Sequence, residues 1–194
     1  MISHPLTRIN ASDRKPIFWI LFGLTIVIMI VMNLSAAPLT TASAPLGIIS
    51  FDFAGSLESA TKILQSWDEV VRVLAAFSIG LDFLFLILYS TTIGLACLWS
   101  GEILSARNWS LAVLGRPLAW GQWLAALLDI AENIALLIVL VTLIQAEQIH
   151  ELAPRIAQIC AGIKFGLVIL GITYTFLGLI VYIAGKFSRS SLDT

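Results

Sequence analysis

The sequence predicts an all-α fold, a polytopic membrane four-helix bundle with an outer capping loop and a short amphipathic helix. Composition is the first reason: 59% of the 194 residues are hydrophobic and only 12% are charged, whereas soluble domains carry about 25% charged residues. The second is that four apolar runs are each long enough to cross a bilayer. A net charge of −1 offers no basic surface for nucleic acid. The length suits one membrane domain, residues 1–194.

The apolar runs set the predicted boundaries. The transmembrane helices are expected at about 17–34, 73–99, 118–146 and 156–185, with an outer loop at 35–72, an inner loop at 100–117 and a polar turn at 147–154. The first run is too long for the apolar region of a signal peptide, and Pro45 directly after Ala42–Ala44 disfavours cleavage there. We therefore interpret it as a retained membrane helix. Gly101 is expected to end the second helix.

The outer loop contains three local patterns. Apolar positions 49, 51 and 53 alternate with polar positions 50 and 52, which is typical of an extended, strand-like segment. Apolar residues from Leu57 to Trp67 recur at helical spacing and predict the amphipathic helix. Ser66 and Glu69 have the spacing of a capping box, which predicts that Ser66 starts the second spanning helix. We expect this loop to cover the outer end of the bundle.

The distribution of basic residues predicts the orientation. Four crossings place both termini on one side of the membrane. That side would carry seven basic residues, which are Arg8, Arg14, Lys15, Arg107, Arg116, Lys186 and Arg189. The other side would carry three, which are Lys62, Arg72 and Arg155. The positive-inside rule then puts both termini in the cytoplasm. We expect an integral protein of the bacterial inner membrane or of another energy-transducing membrane.

The most informative stretch is the middle of the third predicted span, where Asp129, Glu132 and Asn133 interrupt an apolar run. Their i, i+3, i+4 spacing puts them on one face of a helix. Each acid at such a depth costs at least about 2.5 kcal/mol to insert, so it normally faces a protein interior, a partner or a wet cavity. Two carboxylates one turn apart in a low dielectric should not both stay ionised. We therefore expect a shared proton or a bound cation.

Helix geometry, at about 1.5 Å per residue, sorts the polar residues of the spans by depth. Asp82 and Lys164 both fall about 13 Å below the outer helix ends and are expected to form an ion pair. A deeper layer contains the other polar candidates of the last three helices, which are Tyr89, Asp129, Glu132, Asn133, Tyr174 and Thr175. Together these eight residues are the predicted ligand-binding site, between the second, third and fourth spanning helices.

Each of these features also has a structural explanation. Asn133 and the threonines are typical hydrogen-bond partners between membrane helices. Asp82 and Lys164 are equally consistent with an ion pair that only stabilises the bundle. Gly171 and Gly178, on the Lys164 face of the last helix, favour close packing over a pocket. The paired acids of the third span are the hardest to explain by structure alone.

Cysteine and histidine supply little chemistry. Cys97 falls near the inner end of one helix and Cys160 near the outer end of another, so both are expected to be free and buried. His4 and His150 lie in segments predicted to be exposed, which excludes a histidine-rich metal site in the membrane. No metal site is expected and no cofactor is indicated. The sequence has no metal-ligand spacing, phosphate-binding glycine loop, nucleophile–base pair or haem-attachment motif.

Three segments resemble a family of small, uncharacterised four-helix integral membrane proteins from bacteria, including cyanobacteria. They are residues 47–55, residues 80–89 with Asp82 and Tyr89, and residues 128–133 with Asp129, Glu132 and Asn133. This resemblance extends over most of the chain and implies the four-helix membrane fold but no function. The layout of four helices with intramembrane acids is also similar to the emopamil-binding, sigma-2-like sterol isomerases. That similarity is one of architecture, and no residue role is carried over from it.

Three functions stay open at this point. The first is a membrane-embedded site for a small lipophilic or cationic ligand, with or without catalysis. In it, Asp82 and Glu132 contact the cation, Asp129 exchanges a proton, and Tyr89 and Tyr174 form hydrogen bonds. The second is a structural or assembly subunit of a membrane complex. The third is a proton- or cation-coupled carrier, which would need a dimer because four helices are few for alternating access.

The expected partners follow from these three hypotheses. They are the lipid bilayer, a small lipophilic or cationic ligand, and either a second copy of the chain or a larger membrane complex. Nucleic acid is not among them. The sequence does not decide whether the protein is an enzyme.

Overall fold

The computed structural model describes residues 4–145 and 151–190, and it confirms the predicted all-α fold. The described residues form six α-helices, short 3-10 turns and no strand. The helices are α1 (Ala11–Ala36), α2 (Ile48–Asp52), α3 (Leu57–Gln65), α4 (Glu69–Ser105), α5 (Gly115–Ile144) and α6 (Leu152–Ser190). Four of them, α1, α4, α5 and α6, are long and apolar enough to cross a membrane. Half of the turn predicted at 147–154, residues 147–150 with His150, lies outside the described residues.

The four long helices pack around α4. This helix contacts α1, α5 and α6, while α5 and α6 also pack along each other. α1 is peripheral, and its apolar side chains, such as Trp19, Ile20 and Leu34, are exposed. An apolar surface of this extent is typical of a helix that faces lipid. We call the end of the bundle that carries residues 37–68 the loop end, and the end that carries residues 4–10 and 106–114 the termini end.

The loop end is covered by α2 and α3. The strand-like structure predicted for residues 49–53 is wrong, because residues 48–52 form α2. Gly47, at φ +59°, turns the chain just before α2, and Phe51 is buried by the helical turn that follows. An alternation of five residues is too short to distinguish a strand from a buried helical turn. α3 is the predicted amphipathic helix, and three of its side chains are buried, Ala60, Ile63 and Leu64.

Trp67 anchors this covering segment to the bundle. Its ring is buried and packs edge-on against Phe51, with ring centroids 5.6 Å apart. Its Nε1–H donates to the Leu39 carbonyl at 2.9 Å. A buried indole normally finds such a partner for its N–H. The single side chain therefore ties the chain before α2 to the start of α4.

The capping box predicted at the start of α4 is wrong. Asp68, not Ser66, is the N-cap, and its carboxylate accepts the Val71 N–H at 2.8 Å. Ser66 instead ends α3, where its hydroxyl donates to the Ile63 carbonyl at 2.7 Å. Serine and aspartate cap helices about equally well. Asp68 caps α4 because the Ser66 hydroxyl is already hydrogen-bonded in the last turn of α3.

His4 lies at the termini end, and the prediction that it is exposed is wrong. Its ring is fully buried between Trp120 and Trp123, with its centroid 4.6 Å from each indole. Its Nδ1 accepts the Leu6 N–H at 3.2 Å. Burial lowers the pKa of the imidazole below its ordinary value, against a smaller opposing effect of the Ala119 backbone. A neutral His4 therefore holds the N-terminal segment on α5.

The prediction that the second spanning helix ends at Gly101 is wrong, because α4 continues to Ser105. Glycine is needed here for a close approach between helices. A Cβ on Gly115 would lie 3.0 Å from the Gly101 Cα and 2.9 Å from the Cys97 carbonyl oxygen. The start of α5 therefore packs directly on the backbone of α4. Cys97, in the same contact, and Cys160 are both free and buried, as predicted.

Candidate functional site

The polar core of the bundle is carried mainly by α5. Its buried positions recur every three or four residues, at Ala119, Gln122, Ala125, Asp129, Glu132, Leu136 and Val139. This is the repeat of helices that pack closely along their length. Asp129 and Glu132 occupy consecutive positions of the repeat. The packing of α5 against α4 and α6 therefore carries both carboxylates into the protein interior.

Lys164 of α6 neutralises these two acids. Its Nζ lies 2.6 Å from Asp129 Oδ1 and 2.8 Å from Glu132 Oε2, and the three side chains are 10%, 2% and 1% exposed. The contact with Asp129 is a hydrogen bond, whereas the contact with Glu132 is an ion pair not aligned as a hydrogen bond. Removing such charges from water costs several kcal/mol per ion. The attraction between the charges offsets this cost only when the ion pair has good geometry. Here two carboxylates replace part of the water shell of one ammonium.

Two side chains of α4 and α5 complete the contact between these helices. The Tyr89 hydroxyl donates to Asp129 Oδ2 at 2.9 Å, so both oxygens of Asp129 are bonded. Asn133 Nδ2 donates to Asp82 Oδ2 at 2.8 Å. α4 and α5 thus meet through two polar pairs, and the Tyr89–Asp129 pair continues to Lys164 of α6.

The predicted ion pair between Asp82 and Lys164 is wrong. Asp82 contacts Asn133, while Lys164 contacts Asp129 and Glu132. The expectation rested on equal depth, but depth does not specify which neighbour a helix face contacts. Both α4 and α6 direct their charged side chains toward α5. The flexible four-carbon stem of Lys164 allows its ammonium to reach the layer of Asp129.

Tyr174 and Thr175 are not part of this set. The Tyr174 hydroxyl donates to the Leu111 carbonyl at 3.0 Å, at the termini end. The Thr175 hydroxyl donates to the Gly171 carbonyl at 2.9 Å, one turn earlier in α6. Thr175 lies about 16 Å further along α6 than Lys164. The prediction placed both residues too close to the paired acids because it measured depth from uncertain helix ends.

The glycines of α6 allow close packing on α4 and α5. A Cβ on Gly171 would overlap the amide of Gln122, and a Cβ on Gly178 would overlap the side chain of Ser100. Gln122 is fully buried and donates to the Leu167 carbonyl at 2.8 Å. Sequence analysis does not single out Gln122, although its place in the buried repeat of α5 would have identified it.

Asp52, the last residue of α2, is a further acid that sequence analysis does not identify. Its side chain is buried, at 7% exposure. Burial, followed by the negative charges of the other three carboxylates, raises its pKa well above the ordinary value, and Lys164 partly opposes this effect. α2 packs on α5 and α6, which places Asp52 on the loop-end side of the paired acids. The available signal was an acid flanked by Phe51 and Phe53.

Aromatic rings flank the same region. Lys164 Nζ lies 5.2 Å from the ring centroid of Phe165, and Phe53 stacks on Phe165 with centroids 5.9 Å apart. A cation near an aromatic face is attracted by the ring quadrupole. Gln158 Nε2 donates to the Phe53 carbonyl at 3.4 Å and joins the covering segment to α6. We use the name acidic cluster for the set Asp52, Asp82, Tyr89, Asp129, Glu132, Asn133 and Lys164.

The acidic cluster contains four carboxyl groups and one ammonium group. Asp52, Asp129 and Glu132 are buried and Asp82 is partly buried, so the fully ionised cluster would carry a net charge of −3. Uncompensated charge is costly in a protein interior, so ionisation of all four carboxyl groups without a further cation is unfavourable. Within the described residues, no three histidine, cysteine, aspartate or glutamate side chains are placed to hold a metal ion.

Known proteins supply no template for this site. No protein-family model, no curated protein and no solved structure matches the chain. The chemistry of the site is therefore derived from its own side chains.

Proposed function

We propose that the protein is an integral membrane protein whose acidic cluster binds a small lipophilic cation, such as a protonated amine. The observation that carries the proposal is the ratio of four carboxyl groups, three of them buried and that of Asp82 partly buried, to one ammonium. Asp82 accepts a hydrogen bond from Asn133, and Asp52 has no hydrogen-bond donor among the described residues. A ligand ammonium would find its oxygens at Asp52 and Asp82, because Lys164 already occupies the other two acids.

Lys164 is an internal precedent for such a ligand. Its ammonium is held by two carboxylates and lies beside the ring of Phe165. Carboxylates and aromatic faces together are the groups that recognise amines in proteins. Phe53, on the covering segment, extends this aromatic surface toward Asp52. An apolar body is expected on the ligand because it would have to lie among these rings.

The test uses a compact amine and its neutral analogue. Aminoadamantane and adamantanol have the same apolar cage, and only the amine is charged at pH 7. Thermal unfolding of the full chain in lipid nanodiscs is measured with each compound. We expect the amine to raise the unfolding temperature, because a ligand at 100 times its Kd stabilises the folded state by about 2.7 kcal/mol. The alcohol should have little effect.

Matched variants separate binding at the cluster from general effects of amines. Asp82→Asn keeps the shape of the side chain and removes its charge. The amine concentration needed for half of the full shift in unfolding temperature should therefore rise at least about tenfold. Glu58→Gln removes an exposed acid of α3 and should leave the shift unchanged. An equal shift with the alcohol, or an unaltered shift in Asp82→Asn, contradicts the proposal.

A structural role is the second candidate. It is favoured by the contacts of Lys164 with Asp129 and Glu132, which satisfy one another without any ligand. It predicts no response to the amine. The carrier hypothesis has less support, because α4, α5 and α6 run as continuous helices over their described lengths, whereas many carriers bind substrate at broken helices. It would also need a second copy of the chain.

We further propose that both termini face the cytoplasm. Six basic residues with described side chains lie toward the termini end, Arg8, Arg14, Lys15, Arg107, Arg116 and Lys186. Three lie toward the loop end, Lys62, Arg72 and Arg155. The excess supports this orientation by the positive-inside rule. A Glu58→Cys variant should react with a membrane-impermeant maleimide added to intact cells, and labelling only after cell lysis contradicts this orientation.

A further inference from the structure

A groove runs along the termini-end half of the bundle, between α1 and α6 and over α4. One part of it, about 440 Å³ in volume, is lined by residues that include Lys15 and Tyr182. A second part, about 290 Å³ in volume, is lined by residues that include Phe22 and Phe176. Phe18 lines both parts, so they adjoin one another. We call them the head part and the tail part of the groove.

The groove has the length of one leaflet of a membrane. Lys15, Phe18, Phe22 and Thr25 are spaced i, i+3, i+7 and i+10, so they share one face of α1. From Lys15 to Thr25 the axis of α1 advances by about 15 Å. This is half of the hydrocarbon core of a bilayer, which is about 30 Å thick. An acyl chain whose head group lies at Lys15 would therefore reach the end of the tail part that lies beside Thr25.

The tail part suits an apolar occupant because no polar atom is exposed in it. The three threonines that line it use their hydroxyl groups within the protein. Thr25 and Thr92 lie with their oxygens 3.2 Å apart, and each is within 2.7 Å of a backbone carbonyl of its own helix. Thr175 likewise donates to a carbonyl of α6. Only carbon is left to face the groove.

The head part contains one cation that is not neutralised. Arg14 forms an ion pair with Glu102 at 2.6 Å, and it also donates to two backbone carbonyls of the N-terminal segment at 3.0 Å. Lys15 forms no ion pair with any described residue, and its Nζ lies 6.0 Å from the ring centroid of Trp99. Lys15 is therefore the group available to an anion at this end.

We propose that the groove binds one anionic phospholipid, with its phosphate at Lys15 and one acyl chain in the tail part. Trp99 and Tyr182 beside the phosphate are aromatic residues of the kind that lie at membrane interfaces. Basic residues near the membrane surface attract anionic lipids. The lipid would fill the space between α1 and α6, since α1 packs mainly on α4. This site takes a ligand whose charge is opposite to that of a ligand for the acidic cluster. Tyr89, whose hydroxyl donates to Asp129, belongs to both sites.

The test is the retention of defined lipids by the full chain, measured by native mass spectrometry from a mild detergent. Dioleoyl phosphatidylglycerol and dioleoyl phosphatidylcholine differ in net charge and share their acyl chains. We expect one phosphatidylglycerol to be retained in preference to phosphatidylcholine. Lys15→Gln should weaken phosphatidylglycerol binding about fivefold, the contribution of one basic residue at a membrane surface. Lys15→Arg should keep it.

Two controls make the result specific. Lys62→Gln removes a basic residue at the loop end and should leave phosphatidylglycerol binding unchanged. Glycerol phosphate, which carries the anionic group without acyl chains, should not displace the bound lipid. Equal retention of both lipids, equal binding by Lys15→Gln and the wild type, or displacement by glycerol phosphate would overturn the proposal. Thermal unfolding of each variant verifies that it is folded.

Discussion

Replacing Lys164 by methionine tests the buried ion pair, since methionine keeps most of the apolar stem and removes the charge. Asp129 and Glu132 would then be left with their charges 2% and 1% exposed. Removing one partner of a buried ion pair typically costs about 3–5 kcal/mol. For a chain of this length, about 1 kcal/mol shifts the unfolding temperature by roughly 2–4 °C. We therefore expect Lys164→Met to unfold roughly 10 °C below the wild type.

An ion pair of equal length on the surface provides the control. Lys62 Nζ lies 2.6 Å from Glu58 Oε1, the same distance as in the Lys164–Asp129 pair, but the two side chains are 66% and 78% exposed. Exposed pairs contribute little because water and salt screen them. Lys62→Met should therefore leave the unfolding temperature unchanged within error. The two lysines are equally close to their nearest carboxylate and differ in burial and in the number of carboxylates that they contact.

A triple variant separates charge from packing. Lys164→Met combined with Asp129→Asn and Glu132→Gln removes all three charges while keeping similar volumes. Since neutral replacements of buried ion pairs are often tolerated, the triple variant should recover much of the lost stability. All variants are measured by circular dichroism and thermal unfolding in the same detergent. The reasoning is refuted if Lys164→Met is as stable as Lys62→Met, or if the triple variant is no more stable than Lys164→Met.

Three further changes have defined outcomes. Tyr89→Phe removes the donor to Asp129 and should lower the free energy of unfolding by about 1–3 kcal/mol. Burial lowers the pKa of His4 in the folded protein. The unfolded chain therefore binds the extra proton, and attachment of the N-terminal segment should weaken as pH falls below about 6.5, measured by hydrogen exchange. Gly178→Leu should lower the unfolding temperature, whereas Gly162→Ala, whose Cβ meets nothing within 4 Å, should not.

Each of these predictions can be contradicted directly. A Tyr89→Phe variant with wild-type stability would mean that the hydroxyl is not needed by the carboxylate. Protection of the N-terminal segment that is constant from pH 7.5 to 5.5, or a pH dependence that persists in His4→Leu, would mean that the imidazole is not the titrating group. Equal stability of the two glycine variants would mean that α6 does not approach α4 closely.

The general fold could be predicted because the sequence patterns that indicate its helices extend over many residues. Each of the four long helices contains an apolar run of many residues, and α3 shows a helical repeat over its full length. α2 has only five residues, so its alternation is compatible with two structures. The start of α4 depended on whether Ser66 or Asp68 was free to act as the cap. Local sequence offered both, and tertiary structure selected one.

The cluster could be predicted only in part, for a different reason. Asp129, Glu132 and Asn133 share one face of a single helix, so their proximity follows from spacing. The partner of Lys164 depends on how α4, α5 and α6 are rotated relative to one another, which depth alone does not give. Asp52 joins the cluster because its segment folds back over the helices. Such contacts depend on packing between segments that are distant in sequence.

The excess of carboxyl groups in the acidic cluster is the central claim, and infrared spectroscopy of the full chain in lipid at pH 7 tests it most directly. We predict a band from a protonated carboxyl group in the ligand-free protein that weakens in an Asp52→Asn, Asp82→Asn double variant. Saturating aminoadamantane should also weaken it, as the bound cation takes the place of the proton. Spectra showing all carboxyl groups ionised in the ligand-free protein would contradict the claim.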